Sequence, residues 1–470
     1  MSMLKFHNSL SNKLEEFIPL EENKVKMYVC GPTVYDKAHL GHARCYITWD
    51  VLYRYLKFLG YNATYCRNIT DVDDKILKKA DMQGVEPDVI TKEFYESFEN
   101  SMKGLNCLKP DVEPRATKTI GEMIAMVKKL IEKGFAYEAD GDVYFSVEKY
   151  KKYGQLSKQP LDDLMAGARV EAGEKKKSPL DFALWKKDEK HGYKSPWGLG
   201  RPGWHIECSA MSKKFLGDSI DIHAGGADLT FPHHENELAQ SECANGCEFV
   251  KYWLHNGFVT INKEKMSKSL NNFLTIDDLL KKYDSNAIRF FILTNHYRMP
   301  VEFNDEALNS AAAGAKRLIN AASGYEKTSD IDNEAKDAFI EAMNDDLNTS
   351  KALAVLFSLS DKIKKSANKD DAQKYACTLI TLGEVLGFDF SRARKEVSDE
   401  ELRVMLEPLY KTFEIESSLE PRAALDKIIS IRKAARDNKD WAKSDLIRDE
   451  LDGAGIMLKD SKEGTTWQVK

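Results

Sequence analysis

The chain contains no long hydrophobic run and few cysteines. None of its 470 residues lies in a stretch approaching a membrane span of roughly 20 apolar residues. Residues 1–20 also lack the uninterrupted apolar core of a secretory signal. We therefore expect a cytoplasmic protein with no membrane partner. Its eight cysteines include no Cys-x-x-Cys pair. In a reducing compartment they argue against a disulfide framework and favour free thiols or metal ligands.

The chain also lacks a positive net charge, which at first sight disfavours a nucleic-acid partner. Its formal net charge is −6, but binding depends on where basic residues cluster. Residues 431–448 carry six basic and three acidic side chains. A solvated helix face explains this modest excess about as well as an RNA contact. With 42% apolar and 31% charged residues, a chain of this length indicates roughly two to four globular domains.

A His-Leu-Gly-His motif occupies residues 39–42. It follows an apolar run typical of a buried strand, residues 25–30, and begins a helical pattern. We therefore expect His39 and His42 at a helix N-terminus, where free N–H groups and the helix dipole favour an anion. Alone the motif is weak, because helix-capping or core histidines give the same pattern.

A second motif, Lys-Met-Ser-Lys-Ser, occupies residues 265–269. Five fixed residues rarely recur by chance, so this signal is far more specific than the first. Lys265 and Lys268 would form a cationic loop before a helix-start signal at residues 275–278. Together the two motifs predict a site that grips a nucleoside triphosphate.

The order of the predicted elements indicates an α/β fold. Residues 20–75 read as strand, helix and strand, the start of a Rossmann-like parallel sheet. The parallel-strand pattern resumes only at residues 217–224, so the intervening block is interpreted as an insertion. Helical patterns then fill residues 305–388, and capping signals near Asp440 and Gly453 predict a small C-terminal α+β module.

We therefore divide the chain into five segments. They are the first half of the catalytic domain (1–115), a connective insertion (116–200), the second half with the lysine loop (201–304), a helical bundle that binds tRNA if the activity below holds (305–400), and a linker with the C-terminal module (401–470).

Cys30, Cys208, His233 and Glu237 offer a donor set that suits zinc better than magnesium or calcium. His233 and Glu237 are four residues apart and would share one helix face. From spacing alone this signal is weak, because the ligands are dispersed. Core cysteines and a capped histidine remain an alternative.

Residues 30–42, Cys-Gly-Pro-Thr-Val-Tyr-Asp-Lys-Ala-His-Leu-Gly-His, together with the lysine motif, resemble the cysteinyl-tRNA synthetases, a family of class I aminoacyl-tRNA synthetases. Residues 203–211 and 231–237 resemble the family's zinc-holding segments. The resemblance implies that Cys30, Cys208, His233 and Glu237 bind one Zn²⁺. Cys243 and Cys247 are spaced like a competing pair, but the family motif does not extend to them, and two ordinary thiols are the favoured interpretation.

The resemblance also implies the remaining site residues. Those assigned to ATP are His39, Gly41, His42, Asp228, Lys265 and Lys268, of which the two histidines and two lysines would be catalytic. Those assigned to the cysteine substrate are Gly31, Thr70, Trp204 and His223. A core aromatic is an equally good interpretation of Trp204. The family usually has glycine where this chain has Ala224, which bears on how closely the backbone approaches the nucleotide.

The implied activity is ATP-dependent formation of cysteinyl-adenylate and transfer to the 3′ end of tRNA(Cys), with Mg²⁺ accompanying ATP. We expect a monomer. Cysteine and serine differ by one atom, too little for a pocket to separate by shape, whereas zinc deprotonates a coordinating thiol. Trp467 in the tail could stack on a base or staple a small domain.

Two rival functions are weighed against this one. The mycothiol-pathway cysteine ligase resembles the same catalytic core but lacks a tail like residues 425–470. A zinc-stabilised RNA-binding protein without catalysis would have no use for the lysine motif.

Overall fold

The computed structural model describes residues 3–159, 175–261, 264–265, 274–392, 399–461 and 464–469. These residues divide into two compact units, Met1–Phe390 and Ser391–Lys470. Among them no helix is both long enough and apolar enough to cross a bilayer.

The first half of the larger unit begins with a hairpin that sequence patterns did not predict. Strands β1 (Lys5–Asn8) and β2 (Lys13–Glu16) pair antiparallel, and Ser9 N donates to the carbonyl of Trp253 at 2.9 Å. The following elements are β3 (Lys24–Val29), α1 (Leu40–Phe58), β4 (Asn62–Arg67), α2 (Asp74–Gln83) and α3 (Pro87–Gly104).

The predicted insertion contains helix α4 (Ile120–Glu132) and a five-stranded antiparallel sheet. Its strands are β5 (Ala136–Ala139), β6 (Asp142–Phe145), β7 (Phe182–Lys187), β8 (Tyr193–Ser195) and β9 (Gly198–Pro202), in the order β5-β6-β7-β9-β8. Of these strands, sequence patterns indicate only a short β-like segment at residues 141–147, because the other strands are short and lack clear alternation.

The second half of the catalytic fold completes the parallel sheet. Its elements are α5 (Trp204–Leu216), β10 (Ile220–Gly226), α6 (Glu235–Asn245) and β11 (Val250–Asn256). The sheet order is β11-β10-β3-β4, with every neighbouring pair parallel. The chain therefore leaves the sheet after β4 and rejoins it beside β3, which confirms the predicted Rossmann-like fold interrupted by an insertion.

Three short strands and two helices follow the sheet. They are β12 (Val259–Ile261), β13 (Glu264–Lys265), α7 (Ile276–Lys282), α8 (Ser285–Leu293) and β14 (Val301–Phe303). The all-helical bundle then consists of α9 (Asp305–Ala321), α10 (Asn333–Asn344), α11 (Thr349–Lys365) and α12 (Lys369–Val385).

The smaller unit is an α+β module, as predicted. Helices α13 (Asp399–Thr412), α14 (Pro421–Asp437) and α15 (Trp441–Gly453) precede the hairpin β15 (Ile456–Ser461) and β16 (Gly464–Val469). The Asp440 side chain caps α15 by accepting from Lys443 N. Residues interpreted as a linker form most of α13, whose Leu402, Leu406 and Leu409 join the module's core.

Candidate active site

A cavity of about 310 Å³ lies at the carboxyl ends of the parallel strands. It is bounded by the end of β3, the following loop, the first turn of α1, the start of α5 and the segments after β10 and β11. Ligands of open α/β sheets bind in this crevice. The lining includes seven of the residues proposed from sequence: Cys30, Gly31, His39, Gly41, His42, Trp204 and Asp228.

The two histidines of the first motif cap α1 and also face the cavity. His39 N donates to His42 Nδ1 at 3.1 Å, and His42 N donates to His39 Nδ1 at 3.4 Å. Their rings stack with centroids 3.8 Å apart. This reciprocal cap satisfies two of the free N–H groups at the helix start. The capping and functional interpretations are therefore compatible, because the same two rings line the cavity.

Backbone hydrogen bonds join the first motif to the segment that follows the lysine motif. Leu40 N donates to the Leu274 carbonyl at 3.0 Å, and Ile276 N donates to the Ala38 carbonyl at 2.9 Å. Lys265 ends β13. Lys268 lies outside the described residues, so its placement stays a prediction. Leu274, the first described residue after the second motif, thus lies beside the first motif.

Gly31 is required by a close crossing of two chain segments. A Cβ atom built at Gly31 would lie 1.5 Å from the Asn68 carbonyl oxygen. The Gly31 N–H also donates to Asn68 Oδ1 at 2.7 Å. Any side chain would push apart the loops after β3 and β4. The glycine thus has a structural role that holds whether or not it contacts substrate.

Cys30, Cys208, His233 and Glu237 converge beside the cavity, with all four side chains buried. The two sulfurs are 3.9 Å apart, and Glu237 Oε1 lies 3.4 Å from Cys30 Sγ. His233 Nε2 lies 3.6 Å from Cys208 Sγ and 3.0 Å from Glu237 Oε1. Tetrahedral zinc with bonds of about 2.3 Å to sulfur and 2.0 Å to nitrogen or oxygen needs ligand separations of roughly 3.3–3.8 Å. The measured separations, 3.0–3.9 Å, bracket this range, so the four donors are compatible with zinc after small adjustments.

Electrostatics push two of the four donors towards the protonation state that a metal ligand requires and two away from it. Burial lowers the pKa of His233, but Glu237 and Cys208 raise it to about 10, so this ring would lose a proton on metal binding. Burial opposes ionisation of Cys208, but hydrogen bonds with Cys30 and His233 lower the pKa of its thiol to about 6. Burial also opposes charge on Glu237, yet His223 and His233 hold its pKa well below the usual range. The pKa of Cys30 is raised well above normal by burial and by Cys208. A cation would offset this cost of ionising Cys30.

A second group of possible ligands shares Cys30 and Glu237 but uses His223 and His234. His234 Nε2 lies 3.3 Å from Cys30 Sγ, and His223 Nε2 lies 2.9 Å from Glu237 Oε2. His234 Nδ1 is also 2.8 Å from His255 Nε2. We favour the first group because it supplies two sulfurs. The predictions missed His234 and His255, which lie in different segments and share no motif.

The remaining predicted substrate residues lie at different depths. Trp204 is 41% exposed and its ring centroid is 4.2 Å from that of His233, so it is no core aromatic. Thr70 and His223 are buried and are not among the described residues that line the cavity. Thr70 Oγ1 donates to Glu207 at 2.8 Å. Their assignment to the cysteine substrate stays a prediction.

Four further residues answer questions raised by the sequence. Ala224 is buried inside β10 and does not line the described cavity. Its methyl group therefore does not obstruct a nucleotide bound there. Cys243 is buried and Cys247 exposed. Neither belongs to a candidate metal cluster among the described residues. Trp467 is half-buried against the core of the C-terminal module, which favours the staple interpretation.

This sheet and cavity define the class I aminoacyl-tRNA synthetase fold. A methionyl-tRNA synthetase from Mycobacterium tuberculosis in complex with methionyl-adenylate superposes with a TM-score of 0.56 at 15% identity, covering 84% of this chain and 96% of that one. A putative arginyl-tRNA synthetase from Campylobacter jejuni superposes with a TM-score of 0.52 at 15% identity. The superposition covers 81% of this chain and 95% of that one. Likeness at this identity establishes the fold alone.

Sequence comparisons identify the family. Residues 16–313 match the class I (C) tRNA synthetase catalytic domain, 338–391 the DALR domain and 421–467 the cysteinyl-tRNA ligase anticodon-binding domain. A cysteine–tRNA ligase of Geobacter sulfurreducens is 47% identical to this chain, and the alignment covers 99% of this chain and 100% of that protein. A cysteine–tRNA ligase of Francisella philomiragia is 48% identical, and the alignment covers 98% of this chain and 99% of that protein. The chain belongs to the cysteine–tRNA ligase family and is an aminoacylating enzyme.

Proposed function

We propose that the cavity activates L-cysteine with ATP and that the cluster at its floor selects the amino acid through its thiol. The observation that carries this proposal is the spacing of the donor atoms of Cys30, Cys208, His233 and Glu237, which fits one Zn²⁺. Cys30 belongs both to this cluster and to the cavity wall. Substrate in the cavity would therefore reach the cluster directly.

Zinc held by these residues would bind a thiol as the thiolate and an alcohol poorly. Cys30 and Cys208 supply sulfur, while Glu237 supplies a carboxylate that His223 also holds at 2.9 Å. His233 is fixed between Glu237 and the Trp204 ring. Because four buried elements fix these side chains, little rearrangement is needed on binding, and discrimination against serine follows from donor chemistry rather than cavity size.

The nucleotide would occupy the other end of the cavity. His39 and His42 present their rings at the N-terminus of α1, where an α-phosphate gaining charge would be stabilised. Gly41 would leave the first turn open to the nucleotide, and Asp228 would accept a hydrogen bond from the ribose. Lys265 and Lys268 would meet the departing pyrophosphate. Mg²⁺ would accompany the triphosphate. No protein nucleophile is needed, so positioning and charge stabilisation provide the rate.

The acceptor is proposed to be tRNA(Cys). A ribose hydroxyl at its 3′ end, the 2′ one, would take the cysteinyl group from the adenylate. The helical bundle and the C-terminal module would bind the tRNA, and we propose a cytoplasmic monomer. Arg432 is buried and paired with Asp460, so the basic excess of residues 431–448 serves partly to stabilise the module.

The test is ATP–pyrophosphate exchange measured with each amino acid in turn. We expect exchange with cysteine and none above background with serine. Lys268→Ala should slow exchange while leaving cysteine binding nearly unchanged, because the lysine would contact pyrophosphate only. Exchange with serine as fast as with cysteine would contradict the selection mechanism. A Lys268→Ala enzyme as active as the parent would contradict the role of that lysine.

A further inference from the structure

Lys75 lines the cavity from helix α2, which contributes none of the assigned residues. It is the second residue of α2, and its ammonium nitrogen lies 5.2 Å from the centroid of Tyr35, another lining residue. The side chain is exposed. Within the described ranges, no carboxylate lies within 4.0 Å of the Lys75 ammonium. The cavity rim therefore carries a positioned cation without an ion-pair partner there.

Three of the other charged residues of α2, Lys79, Asp74 and Asp81, have structural partners, and Lys78 is exposed outside the cavity lining. Lys79 lies 3.7 Å from Asp36 and 3.9 Å from the Phe94 ring centroid, so it anchors the loop before α1. Asp74 binds Arg201 of the insertion at 2.7 Å, and Asp81 binds Lys190 at 2.9 Å. The acidic side chains of α2 are thus neutralised by the insertion, which leaves positive charge facing the cavity.

The position of Lys75 is unfavourable for the helix itself. A cation in the first turn faces the positive end of the helix dipole. The Asp73 side chain already caps α2 by accepting from Lys75 N at 2.8 Å. Helix stability alone therefore gives no reason for a lysine here. A negatively charged ligand in the cavity would give a reason for a lysine at this position.

We propose that Lys75 binds a phosphate group at the cavity rim. This inference rests on the proposed function, because that function brings two phosphate-bearing substrates to the cavity, ATP and the 3′ end of a tRNA. Lysine binds phosphate as a compact point charge, and the Tyr35 ring restricts where that charge can lie. Lys75 would neutralise substrate charge from helix α2, in addition to the contacts proposed for the histidines of α1.

The experiment compares Lys75→Gln with Lys78→Ala in the full-length enzyme. Lys78 is exposed on the same helix but is not among the described lining residues, so its variant controls for surface charge. Two assays separate the phosphate sources: cysteine-dependent ATP–pyrophosphate exchange without tRNA, and charging of tRNA at saturating ATP. Lys75→Arg should retain most activity in both.

We expect Lys75→Gln to lower kcat/KM by about 10- to 100-fold in one assay. A fall in exchange assigns the contact to the ATP triphosphate. Normal exchange with a raised KM for tRNA assigns it to the acceptor strand. Unchanged kinetics in both assays, or equal losses in Lys75→Gln and Lys78→Ala, would overturn the inference. A parent enzyme without cysteine-dependent exchange would instead refute the proposed function.

Discussion

The two ends of the cavity are built in opposite ways. At the floor, Cys30, Cys208, His233 and Glu237 are buried, come from separate elements and contact one another at 3.0–3.9 Å. At the rim, Lys37 and Lys75 are exposed or half-exposed, and the nearest carboxylate to Lys37 is 3.5 Å away. Rigid buried donors suit a choice between two similar side chains, whereas solvent-facing cations suit a phosphate that gains charge and departs. The proposed function would therefore separate selection and activation in space.

Removal of a floor ligand should have the largest effect. Loss of a residue that only hydrogen-bonds to a metal ligand lowers metal affinity by up to about 100-fold. Because Cys208 would bind the metal directly, we expect Cys208→Ser to lower zinc affinity by more than that. Cysteine-dependent exchange should fall with it. Zinc content after dialysis and exchange rate are the two measurements. Cys247→Ser, at an exposed thiol outside the cluster, is the matched control. A Cys208→Ser enzyme that retains zinc would contradict the assignment of the metal to the buried cluster at the cavity floor.

The histidines of α1 should give the next largest effect. Asparagine is a good helix N-cap, so His39→Asn keeps the cap of α1 while removing the imidazole from the cavity. We expect exchange to slow by about 100-fold, as when one donor to a developing charge is lost. The melting temperature should change little. A large fall in melting temperature with unchanged kinetics would show that His39 serves only as a cap.

Substitution of Trp204 should have a smaller effect, limited to the binding of cysteine at the cavity floor. Its ring lies against His233, with centroids 4.2 Å apart, and 41% of the residue is exposed. We expect Trp204→Ala to raise KM for cysteine about tenfold, the effect of losing roughly 1.4 kcal/mol of contact. KM for ATP should stay nearly constant. Equal increases for both substrates would argue against separate ends of the cavity.

The smallest effect should appear far from chemistry, in the C-terminal module. Arg432 donates to both Asp460 oxygens at 2.8 Å, and this hydrogen bonding holds the pKa of Asp460 well below its usual range. A depressed carboxyl pKa stabilises the module above pH 4, and that stability is lost as pH falls further. Asp460→Asn should cost about 1 kcal/mol at pH 7, discounted because Asp460 is 37% exposed.

That prediction is checked by acid and thermal unfolding of parent and variant across pH 2–7. The difference between them should shrink at the acid end, where the parent carboxylate becomes protonated. ATP–pyrophosphate exchange should be unaffected at every pH, since Asp460 belongs to the smaller unit. A constant difference in stability across the whole range would contradict the ion-pair explanation.

Local motifs predicted the chemistry well because their residues are close in sequence. The strand, turn and helix around residues 25–55 follow from such patterns, whereas the dispersed donor set with Cys30 and Glu237 depended on the family resemblance. The β1–β2 hairpin and most of the insertion's strands were not predicted, since short antiparallel strands lack a strong period. Residues 402–412 were interpreted as linker, but they bury leucines against the smaller unit's core.

Long-range contacts could not be predicted from one sequence. The need for glycine at Gly31 comes from the Asn68 carbonyl, 37 residues away. The contact of His234 with Cys30 spans 204 residues. No sequence pattern indicates a functional role for Lys75, because that role depends on the contact of α2 with the loop containing Tyr35. Such relationships depend on how the elements pack, and periodicity reports only which face of an element is buried.

The most direct test of the central claim is a cobalt-substituted enzyme titrated with cysteine and with serine. Co²⁺ takes the same donors as zinc and reports sulfur ligation through its absorption. Cysteine should add a sulfur-to-cobalt charge-transfer band, while serine at the same concentration should leave the spectrum unchanged. The four variants Cys30→Ser, Cys208→Ser, His233→Ala and Glu237→Gln should weaken metal binding. A spectrum unaffected by saturating cysteine would contradict metal-based selection of the substrate.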